Sequence, residues 1–141
     1  MTDSAAATHT LVIERELPHP PEKIWRAITQ SNLIEQWLMK NDFEPAVGRA
    51  FKLRSTPVPG WDGVIDGEVV TVESQRLLSY TWATMGMTSV VTFTLTPTAA
   101  GTHLRLEQSG FPSTDSPYYK GASYGWQSFL GKLEQVAAGL E

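Results

Sequence analysis

The chain predicts an α+β fold in which a sheet of six antiparallel strands wraps around one long C-terminal helix, with two short helices after the first strand. Three observations carry this. Ala122, Trp126, Phe129, Leu133, Val136 and Leu140 follow one another at steps of 4, 3, 4, 3 and 4 residues, which is one face of an α-helix. Segments of alternating character run from Arg49 to Gln108 with tight connections, the mark of an antiparallel meander. Between the first strand-like segment and that run lie two short stretches with apolar faces and helix-start residues. A sheet closed over by one long helix is a container, so the fold class raises the question of what it holds.

Leu11–Leu17 reads as the first strand, with Leu11, Ile13, Arg15 and Leu17 on one side. Pro20 and Pro21 stop it, and proline suits the first turn of a helix, where its missing N–H has no partner to lose. Glu22–Thr29 forms the first short helix on the face Ile24, Trp25 and Ile28. Asn32 and Glu35 have the spacing of a capping box for the second, whose face is Leu33, Ile34, Trp37 and Leu38. Glu44–Gly48 is a turn-prone connector. Arg49–Ser55 is the second strand, with Phe51 and Leu53 on one side. Thr56–Gly63 is a loop, because Pro57 and Pro59 do not fit a central strand.

Val64–Val72, Leu77–Ala83 and Met87–Thr96 are the third to fifth strands. Leu78, Tyr80 and Trp82 share one face of the fourth, and Val91, Phe93 and Leu95 one face of the fifth. Pro97–Gly101 turns the chain into the sixth strand, Thr102–Gln108, with Leu104 and Leu106 inward. The last helix spans roughly Tyr118 to Gly139, about 33 Å. Gly121, Gly125 and Gly131 lie within it, each costing about 1 kcal/mol against alanine. The expected reason for them is close backbone approach to the sheet.

At 141 residues the chain is long enough to bury its own core, and the expected division is a flexible tail over 1–10 and a single domain over 11–141. Hydrophobic residues at 41% and charged residues at 18% read as globular. A net charge of −4, with no dense window of Lys and Arg, argues against nucleic acid as a partner. With no cysteine there is no disulfide, thiol nucleophile or thiolate metal site. No apolar run approaches the ~20 residues of a membrane span. Met1–Thr10 has neither the basic nor the apolar region of a signal peptide, so a cytoplasmic location is expected.

Catalytic patterns are sparse. Gly121-Ala122-Ser123-Tyr124-Gly125 matches G-x-S-x-G, but it falls inside a helical stripe and no histidine follows Ser123. Gly131-Lys132 lacks the earlier glycine of a phosphate loop, and no cofactor is expected. His9, His19 and His103 lack ligand spacing, so no metal site is expected. His103, Arg105 and Glu107 share the face opposite Leu104 and Leu106, which is the solvent face unless strand register reverses it. Asp66 and Glu68 share a face of the third strand in the same way. Arg15, on the apolar side of its strand, has a carboxylate, a ligand or water within its reach. No catalytic residue is assigned.

The order of strand, two short helices, five antiparallel strands and one long helix resembles the helix-grip fold of the START-like superfamily. Within it the chain is similar to the Aha-type family, proteins resembling the C-terminal domain of the activator of the Hsp-ninety ATPase. The residues that carry the resemblance are Trp25 with Ala27-Ile28-Thr29, Trp37, Val47-Gly48 before Phe51, and Gly67 with Val69. Leu78-Ser79-Tyr80-Thr81-Trp82, then Gly110-Phe111 and Gly125-Trp126 with Leu130 and Leu133, complete it. Arg49 stands where that family often has a second glycine. The match covers about residues 11–140.

The resemblance implies a cavity between the concave sheet and the long helix. Its implied lining is Phe51, Leu53, Tyr80, Trp82, Val91, Phe93, Trp126 and Phe129, residues that would equally suit plain core packing. Trp61, Met85, Met87, Phe111 and Tyr119 lie in or next to loops and are candidates for the cavity mouth, a partner surface or loop anchors. The first functional reading is a module that binds a small hydrophobic molecule or lipid without catalysis of its own. The second, implied by the family, is a partner that activates a chaperone ATPase. The third is an enzyme of the polyketide cyclase or dehydratase type, which requires a polar residue such as Tyr80, Arg54, Asp66 or His103 aimed into the cavity.

Overall fold

A computed structural model of the protein describes residues 9–112 and 117–140. The elements are β1 (His9–Leu17), α1 (Pro21–Thr29), α2 (Ser31–Trp37), β2 (Lys40–Asn41), β3 (Ala50–Arg54), β4 (Val64–Glu73), β5 (Leu77–Thr84), β6 (Met87–Pro97), β7 (Thr102–Phe111) and α3 (Pro117–Ala138). The strands form one antiparallel, curved sheet in the order β1-β7-β6-β5-β4-β3-β2. β3 to β7 are the expected meander. β1 returns to pair with β7 along its whole length, from His9 opposite Phe111 to Leu17 opposite Thr102. His9 and Thr10 therefore belong to a strand, while residues 1–8 of the expected tail lie outside the described residues. No described helix is long and apolar enough to cross a membrane.

Seven strands replace the six expected because Lys40–Asn41 adds an edge to β3. Two residues are too few to show alternation, and side chains hold this strand in place. The Asn41 amide donates to the carbonyls of Ser31 and Met39, at 3.1 and 2.9 Å. The Asp42 carboxylate accepts from the Lys52 N–H at 2.7 Å. The expected capping box does not form. Gln30 is the N-cap of α2 and makes no side-chain cap, Asn32 lies inside the helix, and Ser31 Oγ donates to the Asn41 carbonyl at 3.0 Å.

Alternation along the strands divides inside from outside. Leu11, Ile13, Phe51, Leu53, Leu78, Tyr80, Val91, Phe93, Leu104 and Leu106 are buried on the face that carries the helices. Ile24, Ile28, Ile34 and Trp37 of α1 and α2 join the same core, and the Trp37 indole donates to the Ala27 carbonyl at 2.8 Å, locking one short helix to the other. Gly67 lies opposite Phe51 across β3 and β4, and the Phe51 ring packs where a side chain would stand. A Cβ there would also meet the Thr81 carbonyl at 2.7 Å.

Two expectations for the last helix are corrected. Its buried stripe is Trp126, Leu130, Leu133 and Ala137, whereas Ala122, Phe129, Val136 and Leu140 are only half-buried. The stripe is turned because α3 packs against α1 and α2 as well as against β1. The glycines do not mediate close approach either. Nothing lies within 4 Å of a Cβ built at Gly121 or Gly131, and at Gly125 only Phe129 of the same helix does, at 3.6 Å.

Two glycine substitutions should therefore act in opposite directions. Gly67→Ala should destabilise by about 1–3 kcal/mol through overpacking, and Gly131→Ala should stabilise by up to about 1 kcal/mol. Urea denaturation midpoints of the two variants and the parent check both signs.

Candidate functional site

Between the N-terminal half of α3 and the sheet lies a half-open cavity of about 520 Å³. Its helix wall is Pro117, Tyr118, Gly121, Ala122, Gly125, Trp126 and Phe129. The small residues at 121, 122 and 125 leave the space. Opposite them stand Ile65 of β4, Trp82 and Thr84 of β5, Met87 of β6, and Gln108 and Phe111 of β7. Trp61 and Met85 complete the rim from the loops before β4 and after β5.

Of the eight residues named as lining from the sequence, Trp82, Trp126 and Phe129 face this cavity. Phe51, Leu53, Tyr80, Val91 and Phe93 are buried in the adjoining core. There Tyr80 packs among Phe43, Phe51 and Phe93, with ring centroids 5.7, 5.1 and 6.0 Å away. Burial pushes its phenol well above the ordinary tyrosine range, so it stays protonated. Of the mouth candidates, Trp61, Met85, Met87 and Phe111 line the cavity, and Tyr119 does not. Phe111 is not a loop residue: it ends β7, is fully buried, and supports Tyr119 edge-on at 5.3 Å.

The rim is fastened by specific bonds. The Trp61 indole donates to Thr84 Oγ at 2.8 Å, and Thr84 Oγ donates to the Val64 carbonyl at 3.0 Å. Tyr118 Oη donates to the Met85 carbonyl at 3.3 Å, joining the start of α3 to the β5–β6 turn. Met85 and Gly86 have φ of 52° and 76°, the two positive values a type I′ turn requires. Glycine adopts them freely, whereas methionine there costs about 1–2 kcal/mol. A strained methionine with half its surface exposed is thus held at the cavity mouth.

One polar chain crosses the floor. The Trp126 indole donates to Gln108 Oε1 at 2.7 Å, Gln108 Nε2 donates to Ser89 Oγ at 2.8 Å, and Ser89 Oγ donates to the Trp82 carbonyl at 3.2 Å. An indole N–H can only donate, so the amide oxygen must face Trp126 and the amide nitrogen Ser89. Gln108, Thr84, Ile65 and Tyr118 were not singled out from the sequence. Gln108 was within reach, since it shares the parity of Leu104 and Leu106 on β7.

The charged candidates lie elsewhere. Arg54, Asp66 and Glu68 are exposed on the outer face, where Lys52 pairs with Asp66. Arg15 reaches the Gln127 amide on α3. Ser123 sits within α3, without the strand-to-helix turn of a nucleophile elbow. His103 is outward, with Nδ1 on Glu16 and Nε2 on Glu14 at 2.8 Å, and Arg105 lies between Glu14 and Glu107. Among the described residues no group of three or more His, Asp or Glu could hold a metal ion.

A curved antiparallel sheet gripping one long helix, with a cavity left between them, defines the helix-grip, START-like class. The family model described as Activator of Hsp90 ATPase homolog 1-like protein matches residues 18–138, and the chain belongs to that family. Among solved structures it is similar to protein MLL2253 of Mesorhizobium loti, at 52% identity over 94% of this chain and 99% of that one, with a TM-score of 0.87. It is also similar to the solution structure of Bacillus halodurans protein BH1534, at 28% identity over 92% and 96%, TM-score 0.77. CalU16 of Micromonospora echinospora shares the fold at 22% identity over 94% and 78%, TM-score 0.78. No curated protein matches the chain.

Two measurements follow from this geometry. Hydrogen bonds to Glu16 and then Glu14 raise the His103 pKa above its ordinary 6.5. A group whose pKa is raised by folding stabilises the fold fully below its unfolded value, and that share is lost as pH rises through the folded value. The denaturation midpoint should therefore fall as pH rises from below 6.5 through the raised value, and His103→Gln should flatten that part of the profile. At the rim, Met85→Asn should stabilise by on the order of 1 kcal/mol, because asparagine tolerates the left-handed turn; thermal unfolding of the variant reads this directly.

Proposed function

We propose that this protein is a binding module for a small, mainly apolar molecule held between α3 and the sheet. The observation that carries the reading is the cavity of about 520 Å³, within the size range of small-molecule sites. Its composition supports the same reading: aromatic and aliphatic walls with a few placed polar groups, the pattern that binds through apolar area and orients through single hydrogen bonds. Binding without acid/base chemistry is favoured over a cyclase-like reaction by where the candidate groups lie. Arg54, Asp66 and His103 are on outer faces, and Tyr80 is sealed in the aromatic core.

The test is a thermal shift with an uncharged apolar dye such as N-phenylnaphthylamine. At a hundredfold excess over Kd a ligand adds about 2.7 kcal/mol, which should raise Tm by on the order of 5–10 °C. Ala122→Phe, which places a ring in the cavity, should abolish the shift while leaving the circular dichroism spectrum unchanged. An equal shift in parent and variant would place the dye elsewhere and end the reading.

A further inference from the structure

We propose that Gln108 selects the guest, and that the cavity takes an uncharged, flat molecule presenting a carbonyl-type oxygen to the Gln108 amide. The inference rests on the binding reading above and goes further by assigning a ligand class and a specificity-determining residue.

Gln108 is 2% exposed and lines the cavity. A primary amide offers two N–H donors and two acceptor lone pairs. Ser89 takes one donor and Trp126 one lone pair. The second N–H and the second lone pair have no protein partner among the described residues, so they are left for a guest in the cavity. The amide cannot turn to hide them. Trp126 fixes the oxygen end, Ser89 fixes the nitrogen end, and Ser89 is itself committed to the Trp82 carbonyl.

Flatness follows from the walls. Trp82 and Trp126 stand with ring centroids 5.3 Å apart, Phe129 meets Trp126 at 5.8 Å, and Trp61 and Phe111 add further rings. Aromatic guests gain most from such surfaces by stacking and edge contacts. Neutrality follows from the charge inventory. No Asp, Glu, Lys, Arg or His is among the described lining residues, so an ionised guest would give up hydration against walls that, among those residues, offer it no counter-ion.

The experiment compares three probes of one shape: fluorene, its ketone fluorenone, and a fluorenone carboxylate. Binding is read at neutral pH by quenching of tryptophan fluorescence in the parent protein and in Gln108→Met. The quantity of interest is the ratio of the fluorene Kd to the fluorenone Kd, in which the aqueous solubility of each probe cancels between proteins. It should be about three- to tenfold larger in the parent than in the variant, the worth of one neutral hydrogen bond. The carboxylate should bind at least tenfold more weakly than fluorenone. In the parent alone, the Gln108 side-chain amide resonances should move on adding fluorenone and stay in place with fluorene; this decides the matter if Gln108→Met fails to fold. Binding of fluorene and fluorenone with equal ratios in both proteins, or an unmoved amide, overturns the role of Gln108. Equal binding of the carboxylate overturns the neutral class. If no probe binds, the binding reading itself fails, an outcome distinct from the other two.

Discussion

The joint between Trp126 and Gln108 is what the rest of the structure depends on. A curved sheet and a single helix share little surface unless something deep fixes their separation. Trp126 is 2% exposed and touches both partners, with its ring against Trp82, Phe93 and Phe129 and its N–H on Gln108 at 2.7 Å. The bond is made in a desolvated place, where an orphaned donor would cost more than a surface hydrogen bond returns. Helix position, floor chemistry and the walls of the cavity are set by the same contact.

Either side of that joint, α3 does different work. Toward its C-terminus Leu130, Leu133 and Ala137 are buried with α1, α2 and the sheet. Toward its N-terminus Gly121, Ala122 and Gly125 present almost no side chain and border the cavity. Glycine weakens a helix interior, so this end is held by other means: Tyr118 on the Met85 carbonyl, Tyr119 against Phe111, and the joint itself. The bonds at the rim fall on a turn that already carries backbone strain.

Most of the architecture was legible from periodicity. Alternation over Phe51 and Leu53, over Val91, Phe93 and Leu95, and over Leu104 and Leu106 marks residues that are buried together. What periodicity could not show was short or non-local. The two-residue β2 has no pattern to read, and the hydrogen bonds that hold it come from Ser31, Asn41 and Asp42 side chains across a turn. The capping box failed because the helix begins at Ser31, which places Gln30 at the cap and Asn32 inside α2. At the site, Trp82, Trp126 and Phe129 were within reach because aromatic residues on a periodic face are visible. Gln108 was passed over as the polar end of a strand, although its parity placed it inward.

By itself the chain order of polar and apolar residues determined which segments are strands, which are helices, and which face of each seeks the interior, because these depend on local geometry of period 2 or 3.6. It also determined the absence of thiol chemistry and the net charge of −4. Only the tertiary structure decided which inward residues meet one another and which meet empty space. Phe51, Tyr80 and Phe93 close on each other while Trp82, Trp126 and Phe129 border a cavity, although all six carry the same local signal. The difference lies in what covers them: Phe43 and Trp37 pack on Phe51, Tyr80 and Phe93, whereas Gly121, Ala122 and Gly125 of α3 leave space beside Trp82 and Trp126, and which element covers which is a property of packing between segments distant in the chain.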